Sequence, residues 1–455
     1  MRRIYFFVCI IVLCCINSAQ AHLPCPVNAR GVLQCDAEVK SSYKKSVSLH
    51  FDVNSREESY AARMLTKSLQ ERGYVINANS GDYSIKFFID KRGYDAEAFA
   101  IIPEGNVIKI IGGDYRGLIY GALSLSEDLR NEILLDNAVA RSEKPKLMLR
   151  AVKYDLPWDT YRHSEALNLH DETCRDPKYW EAFLDMMAEN RLNALSLWNL
   201  HPYPFMIIPK NYPEASPFTK EEFKEWQKLF QSIIGMAAER AIETYLIPFN
   251  IFVTPEFSVA HNVAMDNLDH HFYVRGETAQ IVKDYTRECV TQVLEEYPDL
   301  TGFGLTLGEG MAGMTPQERE AWMTETIIEG MRRANRPSKL VHRVPFSSTT
   351  ESLGNTSVET ERITRASIER EADMGFTEGP IFADFKFNWS HSLSTPKLIK
   401  VHGGPLYDTY FNPVSDKYKV TWTARNEDIF CLRWGVFYRF GNLYPGKRLF
   451  HDGYE

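Results

Sequence analysis

Beyond its first sixteen residues the 455-residue chain has no apolar run approaching the about 18 residues that a membrane-crossing helix needs, so no later span is expected. It also lacks a basic tract: the formal charge is -8 with both signs mixed along the chain, which leaves nothing to grip a phosphate backbone or an anionic lipid. Nucleic acid is therefore not an expected partner. No glycine-rich turn marks a nucleotide crevice, and no Gly-x-Ser-x-Gly elbow supports a serine nucleophile. No His-x-x-x-His or His-x-His pair offers metal spacing. The one dense cluster, His270-His271 with Asp266 and Asp269, reads as a surface loop, because adjacent residues rarely ligate one ion together. Neither a cofactor nor a metal is expected.

Cysteine is sparse as well. Three of the eight lie in the first fifteen residues, and of the others only Cys25 and Cys35 are close enough in sequence to suggest a disulfide; Cys174, Cys289 and Cys431 read as ordinary buried thiols. This is no disulfide scaffold.

What is present begins with a leader. Arg2 and Arg3, an apolar stretch from Ile4 to Ile16 and then Ala19-Gln20-Ala21 have the layout of a cleaved signal peptide over residues 1–21, which implies a periplasmic or secreted protein. Residues 22–145 read as a small mixed α/β domain. Val47–Phe51 alternates as a strand, a helix runs from Asn54 to Gly73, strands follow at Tyr83–Ile89, Ala98–Ile102 and Val107–Gly112, and a helix opens at Tyr115 or Arg116.

From Met148 the pattern changes to eight short apolar runs separated by helical stretches, the signature of a (β/α)8 TIM barrel over 146–455. The runs start near Arg150, Leu195, Glu243, Gly302, Leu340, Ile381, Leu398 and Ile429. Only GNLYPGKRLFHDGYE is left where a closing helix belongs, so a C-terminally truncated barrel is expected. The oligomeric state is not readable.

Barrel enzymes work at the C-terminal ends of their strands. Those positions offer Trp158, Asn199, His201, Asn250, Glu309, Arg343, Lys386, Asn388, His391, His402, Asp408, Arg433 and Trp434. Aromatics beside Asn, His or Asp suit sugars, whose apolar faces stack while their hydroxyls seek polar partners. Glu309 stands out because it closes an apolar strand between two glycines, where a ligand can approach backbone closely. It reads as a proton donor to a glycosidic oxygen, or else as an acid that caps the next helix or pairs with a nearby arginine. Glycosidic hydrolysis needs a second carboxylate. Glu256, Asp384 and Asp408 are the candidates, with Asp408 ranked first for its aromatic-rich loop. Arg343, Lys386 and Arg433 either hold a uronic acid or neutralise barrel carboxylates. The remaining strand-end residues are expected to bind substrate, with Trp158, Trp198, Trp389 and Trp434 as sugar platforms.

The stretch DLTGFGLTLGEG resembles the segment of family 67 α-glucuronidases in which a Gly-Phe strand leads to an acidic residue and a glycine. AERAIETYLIPFNIFVTPEF, MAENRLNALSLWNLHP and GDYRGLIYGALSL are similar to that family's third strand, second strand and front-domain helix. The resemblance implies a glycoside hydrolase acting on a polysaccharide or oligosaccharide, with Glu309 as general acid. The chain departs from the family after the sixth strand, where FKFNWSHSLSTP keeps Lys386 and Asn388 but places Ser390 and His391 where the acid belongs. KVHGGPLYD has glycines where the family has its other catalytic glutamate. A barrel that binds oligosaccharide without cleaving it is the alternative those departures imply. The front domain also resembles those preceding hexosaminidase barrels, although Gly308-Glu309-Gly310 lacks their adjacent acids.

Overall fold

A computed structural model describes residues 45–77, 80–158, 165–264, 278–345, 347–351, 354–386 and 407–423. The leader, the Cys25–Cys35 pair, Cys431 and the histidine cluster at 270–271 lie outside them. So do Asn388, Trp389, His391, His402, Arg433 and Trp434, and the apolar runs from Leu398 and Ile429.

The first sheet has six strands: β1 (Ser46–His50), β2 (Val75–Ile76), β3 (Tyr83–Ile89), β4 (Phe99–Glu104), β5 (Val107–Gly112) and β6 (Arg141–Glu143), in the order β2-β1-β3-β5-β4-β6. β4 and β5 form an antiparallel hairpin and the left half is parallel. Two helices, α1 (Arg56–Glu71) and α2 (Tyr115–Arg130), cover it. Each starts where a side chain accepts a backbone N–H that the first turn would leave orphaned: Ser55 takes that of Glu58, and Asp114 that of Gly117. The start at Ser55 falls one residue after the Asn54 that the sequence suggested.

The second sheet is parallel throughout. Its strands, β7 (Ala151–Asp155), β8 (Ala194–Asn199), β9 (Glu243–Pro248), β10 (Gly302–Leu305), β11 (Lys339–Arg343), β12 (Ile381–Lys386) and β13 (Tyr418–Thr423), lie side by side in chain order. Most of the connections carry helices: α3 (Glu165–Arg175), α4 (Pro177–Glu189), α5 (Lys220–Glu239), α6 (Pro255–His261), α7 (Gln280–Glu296), α8 (Pro316–Met323), α9 (Glu329–Arg333) and α10 (Val358–Asp373). The sheet curls, as one interior cluster joins Trp198 of β8, Tyr245 and Ile247 of β9 and Phe382 of β12. A single interior cluster can span β8 to β12 only if the sheet bends toward closure, which is the barrel architecture.

The strand beside β12 is β13. The apolar pattern places the seventh strand at the run from Leu398, which lies outside the described residues, and gives no strand at Tyr418–Thr423. One continuous cluster of buried apolar residues reaches from Val47 in the first sheet to Tyr418 in the second. Among the described residues, no helix is long and apolar enough to cross a membrane.

Candidate active site

Parallel strands bring all their C-terminal ends to one rim, and period-two alternation decides which side chains enter the lumen there. Arg343 ends β11 facing in, while its neighbour His342 faces out toward the helices. Asp384 and Lys386, two apart on β12, share the inner face, as do Lys153 and Asp155 on β7.

Glu309 lies four residues beyond the end of β10. Gly308 and Gly310 flank it with φ of 99° and 71°, a left-handed backbone that glycine adopts without strain. A Cβ on Gly310 would also collide with the carbonyl oxygen of Asn250. The Asn250 amide braces this loop by donating to the Thr306 carbonyl at 2.6 Å and to that of Glu309 at 3.1 Å.

The Glu309 carboxylate is 5% exposed and takes a two-pronged grip from Arg343, at 2.6 and 3.1 Å, with the Lys386 ammonium 3.6 Å away. Burial alone would raise its pKa. The charges of Arg343 and Lys386 outweigh that and pull it down to about 2. A carboxyl so held is ionised at any physiological pH and has no proton to give, so the expected role of proton donor does not fit Glu309. Of the two alternatives open in the sequence, pairing with an arginine is what the structure shows.

Asp384 behaves oppositely. Its carboxylate is 8% exposed and accepts hydrogen bonds from Thr423 at 2.9 and 3.0 Å and from Thr421 at 3.2 Å. Burial raises its pKa, against the pull of the threonines, Arg343 and Lys386. Lys153 completes the rim, 3.2 Å from Asp155 and 4.2 Å from the centre of the Trp198 ring. Three carboxylates, Asp155, Glu309 and Asp384, thus meet three cations, Lys153, Arg343 and Lys386, around one indole.

Several expected site residues fall elsewhere. Trp158 packs in the core against Phe205, Trp226 and Phe230, so it is no sugar platform. The Asn199 amide donates to the Trp158 carbonyl and its oxygen accepts from the His201 backbone N–H, which shapes the loop instead of facing a ligand. His201 is buried with its ring nitrogen 2.9 Å from the Tyr285 hydroxyl. Asp408 is exposed on a turn against α10, where Asn412 and the field at Glu361 are its surroundings, so it is not the partner of Glu309. Glu256 sits in the first turn of α6.

The sequence reading missed Lys153, Thr421 and Thr423. Lys153 was legible in principle, since it precedes Asp155 by one strand period. The threonines were not, because their strand had gone unassigned. A cleft of about 400 Å³ beside α7, lined by Tyr212, Asp284 and Glu288 among others, includes none of the strand-end residues.

No family model matches the chain, and no curated protein matches it. Solved structures do. A GH138 enzyme targeting pectin rhamnogalacturonan II is 25% identical with a TM-score of 0.62, over 75% of this chain and 38% of that one. The chain thus spans well under half the length of that enzyme. A β-N-acetylhexosaminidase from Bacteroides fragilis aligns at 12% identity and a TM-score of 0.48, over 89% of this chain and 90% of that one.

Proposed function

We propose that this protein is a glycoside hydrolase whose reacting carboxylates are Glu309 and Asp384, acting on an acidic polysaccharide. The observation that carries the reading is the divergence of these two groups: neighbours of the same two cations, one is driven toward ionisation and the other toward protonation. Environments that push two carboxyl pKa values apart are what divides base from acid in hydrolysis. In this scheme Asp384 gives its proton to the glycosidic oxygen as the C–O bond breaks. Glu309, ionised, either attacks the anomeric carbon, forming a glycosyl ester that water then cleaves to free Glu309 while Asp384 takes that water's proton, or takes the proton of a water that attacks the carbon directly and passes it to Asp384 through solvent.

The uronic acid preference belongs to the same proposal. Lys153, Arg343 and Lys386 stand on one rim, and such a group of cations offers a sugar carboxylate charge-assisted hydrogen bonds. The GH138 enzyme's pectin target supports this choice of substrate class. Export is proposed on the leader sequence alone, and fractionation of expressing cells checks it.

The test is release of reducing sugar from rhamnogalacturonan II and other acidic polysaccharides, beside neutral ones. Glu309→Gln and Asp384→Asn, each verified as folded, should lower turnover by about 100-fold or more, as loss of an acid or base group does. Turnover unchanged in both variants would sink the reading. A second reading, a barrel that binds oligosaccharide without cleaving it, is favoured by the engagement of both Glu309 oxygens by Arg343. Saturable binding with no release by the wild type would establish it.

A further inference from the structure

His342, one residue before Arg343, points the other way, into the layer between β11 and the helices. There it meets Glu320 of α8 and Glu371 of α10. The imidazole Nε2 lies 3.4 Å from a Glu320 oxygen and 3.7 Å from a Glu371 oxygen, and one ligand atom from each residue falls within 4.8 Å of the other two. All three side chains are sealed from solvent: Glu320 is 3% exposed, and His342 and Glu371 are 0% exposed. Among the described residues, His342 Nε2, Glu320 Oε2 and both Glu371 oxygens have no hydrogen-bond partner. Two buried carboxylates facing a buried imidazole, with four polar atoms unanswered, are costly unless something sits among them.

We propose that these three residues hold a divalent transition-metal ion of the zinc type. Bonds of about 2.0–2.2 Å in a tetrahedral site place ligand atoms about 3.3–3.6 Å apart, close to the two distances seen. Charge-assisted N–H···O bonds are shorter, about 2.7–2.9 Å, and a single Nε2–H could serve only one of the two carboxylates. The tautomer also suits a metal: His342 Nδ1 lies 3.1 Å from the Arg343 carbonyl oxygen, and donating there leaves the Nε2 lone pair aimed at the glutamates. Thr364 donates to the other Glu320 oxygen and so orients that carboxylate. With both oxygens open, Glu371 can bind in two-pronged fashion. A nitrogen ligand and only three protein groups disfavour calcium and magnesium, which take more oxygens. Because the ion would fix the backbone carbonyl of Arg343, it would also steady the residue that grips Glu309. The ligands stand 22 and 29 residues either side of the histidine, which is why no spacing motif announced them.

The experiment uses the whole chain, purified without chelator and dialysed, and reads metal content and melting temperature, neither of which depends on sugar release. The expected result is about one zinc, manganese or iron per chain, and melting lowered by roughly 5 °C or more after chelation. Added Zn²⁺ should restore the melting point and added Ca²⁺ should not. His342→Gln and Glu371→Gln should each lose the ion. Below ~0.1 metal per chain, with no shift on adding Zn²⁺, the proposal falls, whether or not the variants fold. An ion retained by both variants overturns it as well.

Discussion

Glu309 shows how far surroundings redirect a single carboxyl. On a strand end it looks like a proton donor; beside Arg343 and Lys386 it is a permanent anion, with its pKa drawn down from the ordinary 4.5 to about 2. A pKa depressed in the folded state means that the group's contribution to stability is complete above about 4.5 and is lost as pH falls toward 2. Glu309→Gln should therefore lower the melting temperature most at neutral pH, where it removes the negative charge that Arg343 and Lys386 both face, at a cost of about 3–5 kcal/mol. The gap between wild type and variant should close as pH falls below about 4. Melting curves from pH 7 to pH 2.5 check this, and a gap independent of pH would mean that Glu309 is not ionised in the fold.

At the scale of elements, the helices were the most legible part because their signals are local. Thr219 accepts from the Glu222 backbone N–H while the Glu222 carboxylate accepts from that of Thr219, and Thr315 and Glu318 repeat the arrangement at α8. Such reciprocal caps satisfy two orphan donors within four residues of sequence. Thr219→Ala should destabilise the protein by about 1 kcal/mol, seen as a lower urea midpoint with unchanged slope. Strands were less secure. β10 and β12 stood out as apolar runs, whereas β13, YKVTWT, alternates Tyr418, Val420 and Trp422 with polar residues and was passed over. It is a strand because six of its residues pair in register with β12, and a pairing partner is not a local property. Thr421 and Thr423 were lost with it, and so was the environment of Asp384.

For the molecule as a whole, the decisive arrangement is at the end of the barrel opposite the candidate site. Arg116 of α2 reaches the Ala241 carbonyl and Glu243 at the start of β9, which also pairs with Lys339 at the start of β11. Glu97, just before β4, bridges Arg116 and Arg150 at 2.6 Å each and accepts from Asn193. The first sheet thus stoppers the strand-beginning end through a largely buried ionic network, leaving the other rim for chemistry. Removing the bridge with Glu97→Ala leaves Arg150 without its carboxylate and Arg116 with Glu243 alone, and should cost about 3–5 kcal/mol. Unfolding followed separately by tryptophan fluorescence, whose reporters all lie in the second sheet's half of the chain, and by far-ultraviolet circular dichroism should then lose its coincidence. Coincident transitions in the variant would mean that the network does not couple the two sheets.

The sequence by itself determined the alternation of strands and helices, the parallel barrel and the rim on which Glu309, Arg343 and Lys386 stand, because hydrophobic periodicity and caps act over a few residues. Only the tertiary structure decided which carboxyl pKa is pushed up and which down, that Asp384 rather than Asp408 shares the neighbours of Glu309, and that Glu320, His342 and Glu371 converge. Protonation and ligation depend on charges and burial contributed by strands and helices distant in the chain, and those distances are set only when the sheet curls.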